Sequence, residues 1–475
     1  MMKPLLISIM TLMPLMTFAD GTEINGIYYN LVSKTKQAEV TSNPNKYSGS
    51  INIPSTVEYD GITYDVTKLG YRAFHSCEDV TSVSIPNSIT TIEEGVFSWC
   101  YGLTELDIPN SVTSLGKKAI SQCRNIASIT IGTGLTSIDR EAFAGCVGIK
   151  KVIIKDIAAW CQIDFGDNPL EWGNGKIYND ENTEITELVI PDGVTIISRT
   201  AFRGCSSLTS VVLPNTIEKI YYDAFASCTG LTSIEIPNSV TFLSGFSSCT
   251  GLTSVTIPNS VTTIGSSAFY GCTGLTSIEI PNSVTTIQNG AFSCSNLKKI
   301  TIPNSVVTID NNAFYGCNKL TEITIGSGVQ TIGDRTFENC QEISDVYCYP
   351  EQVPQTNATA FDNSSIEYAT LHVPEAAINS YKTTAPWSGF KEVVAISPSG
   401  ISKLEASETS VKCEDGQLTI EGIDNGLTVE LYSLNGEKLG SAIGKNGAAR
   451  IDTNVRPGSI VVVKMGEKSV KVIVK

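Results

Sequence analysis

The chain has 475 residues, of which 17% are charged, and a formal net charge of -15. Nucleic acids and anionic lipids are bound by basic surfaces, so this acidic balance argues against both as partners. Bulky aliphatic residues are frequent and low-complexity tracts are absent, which predicts an ordered chain. The length alone would indicate about three compact domains, but that estimate does not hold for chains built from repeats.

Residues 1–19 have the pattern of a secretory signal peptide. Lys3 supplies positive charge, residues 5–18 form an apolar core, and Ala19 ends a small-residue cleavage site. The mature chain is expected to begin near Asp20. Elsewhere no apolar run reaches the roughly 18 residues that a membrane-spanning helix needs. We therefore expect an exported protein without a membrane-spanning segment.

Residues 20–72 contain the apolar strings IYYNLV and ITYDV and an Asp60-Gly61 turn. Such a turn joins two strands of a hairpin, because both residues tolerate positive φ. We expect this segment to form an N-terminal cap over the repeat array that follows, since the ends of a stacked array need a polar cover.

Residues 73–348 contain eleven units that each begin with a small residue, an apolar residue and a nearby cysteine. Seven of the ten steps between units are 23 residues, and the others are 59, 21 and 22 residues. This regular period predicts a stack of similar coils. The units start at Ala73, Val96, Ala119, Ala142, Ala201, Ala224, Gly245, Ala268, Ala291, Ala313 and Thr336.

One representative unit reads AFYGCTGLTSIEIPNSVTTIQNG. Leu275, Ile278 and Ile280 match the L-x-x-L-x-L spacing of leucine-rich repeats, whose period is roughly 20 to 29 residues. Side chains alternate along a strand, so the two isoleucines are expected to point inward and Ser277 and Glu279 outward. The proline that follows ends the strand because it has no N–H, and V-T-T-I makes a second, shorter apolar contact.

These spacings predict a mainly β fold, a right-handed solenoid with one continuous parallel sheet from about Val80 to Ile325 and a cap at each end. The units resemble the BspA-like leucine-rich-repeat family of bacterial surface proteins, whose units read AFxGCxxLTSIxIPxSVTxIG, and the resemblance covers roughly residues 20–396. It implies attachment to host or bacterial macromolecules. Departures from the family pattern are local, such as Ala119-Ile120 in place of Ala-Phe.

Two segments depart from the regular repeat. An insertion at about residues 157–184 lengthens one coil, and residues 349–396 are expected to form a C-terminal cap with TLHVP as its strand and a short helix leading to Trp387. The acidic residues of the insertion could hold calcium, but they lack a D-x-D-x-D-G loop, so a solvated turn is the preferred interpretation. These residues are Asp164, Asp167, Asp180 and Glu181.

A linker at residues 397–400 leads to a tail, residues 401–475, that is predicted to be a small antiparallel β-sandwich. Its strings VELYSLNGEKL and KVIVK resemble the C-terminal sorting domain of type IX secretion substrates. The resemblance implies export by that secretion machinery to the exterior of a Gram-negative outer membrane; the alternative is a β-domain kept for stability. The expected hairpin turns are Asp415-Gly416, Asn425-Gly426 and Asn435-Gly436.

Eleven of the 14 cysteines occur once per repeat unit. An exported chain rich in cysteine can be stapled by disulfides. A ladder of parallel, buried side chains favours free thiols instead, so we interpret these residues as small apolar fillers. They are Cys77, Cys100, Cys123, Cys146, Cys205, Cys228, Cys249, Cys272, Cys294, Cys317 and Cys340. Cys161, Cys348 and Cys413 lie outside this ladder, and the sequence gives no basis for assigning them as paired or free.

The sequence contains no motif of a catalytic, cofactor or metal site, and its only histidines are His75 and His372. His75 lies two residues before Cys77, which could indicate a nucleophile pair. It also occupies a variable position of the repeat, which is the simpler explanation. We expect neither an enzyme nor a bound cofactor or metal.

The outward residues of five consecutive strands form the candidate binding face, expected on the concave side of the sheet. In register they make two columns of hydroxyl and charged groups, which suit an extended extracellular protein or glycan held by many weak hydrogen bonds. The leading hypothesis is a secreted surface adhesin. The alternatives are a structural surface component that self-associates, and side chains that serve only strand propensity and solubility. The candidate residues are Ser233, Glu235, Ser254, Thr256, Ser277, Glu279, Lys299, Thr301, Glu322 and Thr324.

Deleting residues 401–475 should leave the repeats folded but retain the protein in the periplasm, because the tail is the segment that resembles a sorting signal. Cell fractionation and proteolysis of intact cells, applied to the full and the truncated chain, measure this. Equal surface display of the two chains would contradict the sorting interpretation.

Overall fold

The computed structural model describes residues 21–173, 175–396, 411–414, 417–421, 423, 425–433, 438–453, 455, 460–465 and 468–473. The signal-peptide pattern, the linker and the turns at 415–416 and 435–436 lie outside these residues. The chain divides into two compact units. The first spans residues up to Leu371 together with Asn379–Val393, and the second comprises His372–Ile378 and the residues from Val394 onward.

The first unit is a β-solenoid of about 14 turns, as the repeat period predicts. Each regular coil has a first strand, from the L-x-x-I-x-I string, and a second strand of two residues, from V-x-x-I. The first strands are Gly49–Asn52, Val80–Ser84, Glu105–Asp107, Ser128–Ile131, Lys151–Ile154, Ile177–Tyr178, Glu187–Val189, Ser210–Val212, Ser233–Glu235, Ser254–Thr256, Lys299–Ile302, Glu322–Ile325, Asp345–Cys348 and Thr370–Val373. The second strands are the end of Ile62–Leu69, then Thr91–Ile92, Ser114–Leu115, Ser137–Ile138, Asp164–Phe165, Ile196–Ile197, Lys219–Ile220, Phe242–Leu243, Thr263–Ile264, Thr286–Ile287, Thr308–Ile309, Thr331–Ile332 and Gln355–Thr356.

The second strands, and not the first, form the long parallel sheets. They pair in register from Leu69 to Phe165 and again from Ile196 to Thr356. The first strands are divided among shorter sheets, so the prediction of one continuous sheet from Val80 to Ile325 is wrong. The first strands vary from two to five residues between coils, whereas the second strands from Thr91–Ile92 onward all have two, so the second strands meet an equivalent partner in each neighbouring coil.

The N-terminal segment begins with antiparallel strands and already contains one coil. Thr22–Ile24, Ile27–Val32 and Gln37–Val40 pair antiparallel in that order, and the Asp60-Gly61 turn joins the hairpin of Thr56–Tyr59 with Ile62–Leu69. Within the segment expected to be only a cap, Gly49–Asn52 pairs in parallel with the first strand of the next coil. The string S-I-N-I-P at residues 50–54 repeats the later S-I-E-I-P, and this similarity is the sequence signal of the additional coil.

Each coil turns through residues in the left-handed region, which explains the glycine of A-F-x-G-C. Gly271 has a φ of 66°, and its N–H donates to the carbonyl of Ser293 in the next coil at 2.7 Å. The same repeat position is occupied by Trp99, Gln122 and Ser248 at φ of 67°, 61° and 59°. A non-glycine residue costs roughly 1 to 2 kcal/mol in this conformation, so the inter-coil contacts must hold it there.

Phenylalanine rings stack continuously along the core of the coils that follow the insertion, one from each coil. Successive ring centroids are 5.3 to 5.9 Å apart and the rings are inclined by only 6 to 14°. Trp387 packs edge-on against the last ring at 5.4 Å and ends the stack. The rings are those of Phe202, Phe225, Phe246, Phe269, Phe292, Phe314, Phe337 and Phe361.

The insertion is a thickened coil. It comprises helices Ile157–Cys161 and Pro169–Trp172 and strands Asp164–Phe165 and Ile177–Tyr178, and each strand extends one of the parallel sheets of the preceding coils. Both sheets end at this coil and new ones start after it. The junction is bridged by hydrogen bonds from Trp160 Nε1 to the Ala201 carbonyl at 2.8 Å and from Asn168 Nδ2 to the Thr200 carbonyl at 2.7 Å.

The segment after the last regular coil contains 3₁₀ turns at Ile366–Tyr368, Glu375–Ala377 and Trp387–Gly389, helix Ile378–Thr383 and strand Glu392–Ala395. In the second unit, two antiparallel sheets are formed, as predicted for the tail. Their strands are Val411–Glu414, Gln417–Glu421 and Ala448–Asp452 in one sheet, and Lys438–Ile443, Thr428–Tyr432, Ile460–Met465 and Lys468–Ile473 in the other.

The core of this second unit includes Leu418, Val429, Ile451 and Val463. Asn425-Gly426 does not form the expected hairpin. The strands before and after this turn belong to different sheets, so the turn crosses from one sheet to the other, with the Gly426 N–H bonded to the Gly444 carbonyl.

Replacing Ile323 by aspartate should lower the free energy of unfolding by about 3 to 5 kcal/mol, because it buries a charge without a partner. Ile323 is fully buried, whereas Ile278, which the sequence places inward as well, is only half-buried. Ile278→Asp should therefore cost less than about 2 kcal/mol, since water reaches the carboxylate. Denaturant unfolding of both variants tests this, and equal losses would contradict the difference in burial.

Candidate functional site

The structure places eight of the ten candidate binding residues on the outward side of first strands, and Ser277 and Glu279 in the corresponding segment of their coil, which forms no strand. Ser233 is paired with Ser254, and Lys299 with Glu322, so the columns are in register within each sheet. Eight of the ten residues are exposed, and Glu322 and Thr324 are half-buried. The alternation of inward and outward residues read from the sequence is thus observed, while a binding role for these residues remains a hypothesis.

The face is interrupted at residues 276–280, a segment that we call the strand gap. These residues form no strand, between the sheet that ends with Ser254–Thr256 and the sheet that begins with Lys299–Ile302. Among the described residues, their backbone N–H groups donate no backbone hydrogen bond, and the only backbone bond accepted is at the Thr276 carbonyl from Lys298 N, 3.1 Å. Peptide groups that are paired in other coils are therefore available here.

The strand gap is confined to this side of the coils. The second strands remain paired through Ile264, Ile287 and Ile309. The Phe246 and Phe269 rings still stack, but at 5.9 Å, the longest spacing in the stack. The gap lies between the two shortened steps of 21 and 22 residues. Coils of unequal length cannot stack in register at every corner, and here the mismatch is taken up by the first strands.

An open groove of about 880 Å³ follows the strand gap. Its lining includes six of the candidate residues together with others that the sequence analysis did not select. Tyr349, which is exposed, and Asn282, which follows the proline of its coil, lie on the rim. Only outward positions within the strand segments were selected from the sequence, and both of these residues lie just after such a segment. Six of the ten candidate residues line the groove in all: Ser254, Ser277, Glu279, Lys299, Thr301 and Thr324.

The charges of the groove are unequally paired. Lys299 Nζ lies 2.9 Å from Glu322 Oε2, and this hydrogen bond raises the pKa of Lys299. Glu279 forms no ion pair or hydrogen bond with a described residue. The groove therefore carries a small excess of negative charge.

One apolar pair on the same face was also missed. Val189 and Val212 are partners in neighbouring first strands, and their side chains are 61% and 56% exposed. They occupy the outward position held by Glu235 and Glu279 in later coils. The face is therefore less uniformly polar than the five coils chosen from the sequence suggest.

The repeat cysteines fill space in the core and also form hydrogen bonds between coils. In eight coils the thiol donates to the carbonyl of the core residue at the start of the preceding coil, at 2.8 to 3.3 Å. Burial raises the pKa of the thiols of Cys228 and Cys340, and raises the pKa of Cys249 to about 12. Since the thiolate is the reactive form, thiols in this position are poor nucleophiles.

Cys294 does not occupy the ladder position that the sequence analysis predicted for it. Its unit has one residue fewer before the conserved leucine, so Cys294 occupies the left-handed position of the consensus glycine, with a φ of 57° and its N–H bonded to the Tyr315 carbonyl. Ser295 takes the ladder position, where it is fully buried and lies 3.4 Å from Cys317 Sγ. Cys294 itself is half-buried. The one-residue deletion was visible in the sequence as the 22-residue step.

His75 and Cys77 do not form a nucleophile pair. The Nδ1 atom of His75 lies 2.9 Å from Ser76 Oγ, and Cys77 Sγ accepts the N–H of Tyr47. Burial raises the pKa of Cys77; burial together with Arg72 and Lys46 lowers that of His75. A thiolate–imidazolium pair requires shifts in the opposite directions.

The acidic residues of the insertion bond to separate parts of the chain. Asp167 accepts from the Phe143 N–H at 2.7 Å and from Trp172 Nε1 at 2.8 Å. Asp180 accepts from the N–H groups of Asn182 and Thr183, both at 2.8 Å. Within the described ranges, no group of three or more histidine, cysteine, aspartate or glutamate side chains is placed to hold a metal ion.

The coil geometry, the spacing of inward residues and the cysteine position all repeat along the first unit. A family model for the BspA type leucine rich repeat region matches in six copies, over residues 47–163, 177–246 and 243–367. The chain belongs to the BspA-type leucine-rich-repeat family. The first match begins at residue 47 and thus includes the coil found inside the N-terminal segment.

Solved structures similar to this BspA-type chain are bacterial repeat proteins. A leucine-rich repeat protein from Bacteroides ovatus is 26% identical, with 78% of this chain and 99% of that chain covered and a TM-score of 0.47. A leucine rich cell surface protein from Faecalibacterium prausnitzii is 20% identical, with coverage of 80% and 95% and a TM-score of 0.39. The pneumococcal vaccine antigen PcpA is 17% identical, with coverage of 79% and 98% and a TM-score of 0.49. No curated protein matches the chain.

We expect Cys294 to be alkylated in the native protein well before the other repeat cysteines, because it is the half-buried one among them. Brief treatment with N-ethylmaleimide, followed by peptide mapping without reduction, assigns the modified sites, and Cys294→Ser is the control. After denaturation all repeat thiols should react. Disulfides between neighbouring coils, or equal labelling of Cys272 and Cys294, would contradict this arrangement.

Proposed function

We propose that this BspA-type chain is a cell-surface binding protein that recognises an extracellular protein or glycan through the outward side of its first strands. The observation that carries the proposal is the pair of exposed columns, in which eight of ten residues reach solvent while their neighbours in the strand form the core. Because inward and outward residues alternate, core packing and ligand recognition are assigned to different side chains. Residues on this side can vary for recognition without affecting the stacking of the coils.

The chemistry of the columns suits an extended partner. Hydroxyl groups of Ser233, Ser254 and Thr256, with the carboxylate of Glu235 among them, present donors and acceptors on a repeated spacing. A net contribution of about 0.5 to 1.5 kcal/mol from each hydrogen bond makes affinity depend on many contacts. Such a face supports adhesion more than catalysis, which would need a nucleophile or acid with an oriented partner.

Export to the cell surface is part of the proposal. It is supported by the signal-peptide pattern of residues 1–19 and by the resemblance of the tail to a sorting domain. In the part of the chain that the structure describes, no helix is long and apolar enough to cross a membrane. An exported binding protein would meet matrix proteins, mucins and glycans outside the cell.

Reversing the charge of the face tests the proposal. The triple variant Glu235→Lys, Glu279→Lys and Glu322→Lys changes the outward columns and leaves the core intact. We expect its affinity for a partner captured from a panel of host matrix proteins, mucins and bacterial surface glycans to fall roughly ten-fold or more, because charge complementarity at a contact face is reversed. Surface plasmon resonance with the captured partner measures the change.

The matched control carries the same charge change on exposed glutamates elsewhere, namely Glu58→Lys, Glu351→Lys and Glu367→Lys. It should bind like the parent. If both triple variants bind as tightly as the parent, the proposed face is wrong. Assembly of the purified parent with rising concentration in light scattering, without capture of any partner, would favour the structural, self-associating alternative.

A further inference from the structure

Three features meet along the groove that contains the strand gap. The peptide N–H groups of the gap are not used by neighbouring coils, the gap forms one end of the open groove, and the exposed ring of Tyr349 stands at its other end, three coils beyond the gap. Pockets of roughly 300 to 1,000 Å³ hold ligands of a few rings, and the groove falls in this range. The groove therefore differs from the remaining outward face, which offers separate side chains on a continuous surface.

The floor of the groove is apolar and its rim carries an aromatic platform. Ile278 and Val255 are half-buried here, although the equivalent residues of other coils, such as Ile300 and Ile323, are buried. The ring of Tyr349 is 42% exposed. A flat aromatic ring beside aliphatic side chains covers the C–H face of a pyranose, which is apolar although the edge of the sugar is hydroxylated.

The polar groups of the groove surround this floor. Ser277 and Thr301 present hydroxyls, Glu279 a carboxylate, and Asn282 an amide that makes no hydrogen bond with a described residue. These side chains supply both donors and acceptors along the groove. Hydroxyl groups of a sugar act as both donor and acceptor, so each can be satisfied by such a mixed set.

The charges of the groove favour neutral glycans over anionic ones. The positive charge of Lys299 is paired with Glu322, and Glu279 is left without a cation. The whole chain has a net charge of -15. Sialylated and sulfated glycans would be repelled, whereas a neutral sugar can donate charge-assisted hydrogen bonds to the Glu279 carboxylate.

A peptide strand fits the groove less well. Pairing a strand with residues 276–280 would require it to enter between coils whose second strands and phenylalanine rings remain in contact. A bound peptide would thus be limited to side-chain contacts, and the free peptide N–H groups would stay unpaired.

We propose that the groove containing the strand gap binds a neutral oligosaccharide along its length, with one pyranose ring against Tyr349 at one end and the hydroxyls of another ring bonded to Ser277, Glu279 and Asn282 at the other. The inference rests on the proposed binding function and assigns a ligand class and a location to it. Tyr349 and Asn282 are then specificity residues, although they lie outside the columns selected from the sequence.

The test uses the purified full chain on an array that carries chitotetraose, lacto-N-tetraose and mannotetraose as neutral glycans, with sialyllactose and a heparin tetrasaccharide as anionic ones. We expect signal from at least one neutral glycan and none from the anionic pair. For the neutral glycan that binds, calorimetry should show a loss of roughly ten-fold or more for Tyr349→Ala, retention for Tyr349→Phe and a smaller loss for Asn282→Ala. Tyr270→Ala is the matched control, since Tyr270 is 43% exposed but lies outside the groove.

Melting temperatures of all variants exclude unfolding as the cause of a loss, and Asn282→Ala provides a second readout if Tyr349→Ala is unstable. Preference for the anionic glycans, or a neutral glycan bound equally by the parent, Tyr349→Ala and Asn282→Ala, would overturn the inference. If no glycan binds while the Glu-to-Lys triple variant weakens a captured protein partner, the groove assignment fails and the proposed function stands. If that triple variant also has no effect, both fail.

Discussion

Stacking of equivalent side chains in successive coils is the interaction on which the solenoid depends. In a regular coil, one phenylalanine ring, one thiol–carbonyl hydrogen bond and one pair of second strands make the contact with the neighbouring coil. A single coil has no partner for these groups and could not bury its apolar side. Each added coil creates the same set of contacts, so stability grows with the number of neighbours in register.

The first strands can vary because other contacts hold the coils in register. The core is held in register by the second strands and the ring stack, and the first strands need only supply inward apolar residues. They can therefore be interrupted, as at residues 276–280, without breaking the array. Exposed valines at 189 and 212, hydroxyl columns and the groove at Tyr349 can coexist on one face for the same reason.

Coil length is the main source of local difference in this chain. The deletion of one residue moves Cys294 to a left-handed corner and gives its ladder position to Ser295, which is small enough and polar enough to serve there. The large insertion adds two short helices and ends both sheets, yet Trp160 and Asn168 bond across the junction to the next coil. Such changes preserve the stacking of the coils and alter which residues are exposed on their surface.

The sequence by itself determined the repeat, the inward direction of residues such as Ile300, the outward direction of Ser277 and Glu279, and the β-structure of the tail, because these depend on local periodicity. Only the tertiary structure decided that the second strands form the long sheets, that Asn425-Gly426 crosses between two sheets, and that the coil at Ile278 separates from its neighbours. Those outcomes depend on how one coil fits against the next. Fit between coils is set by backbone geometry at the corners, which near-identical repeat strings do not distinguish.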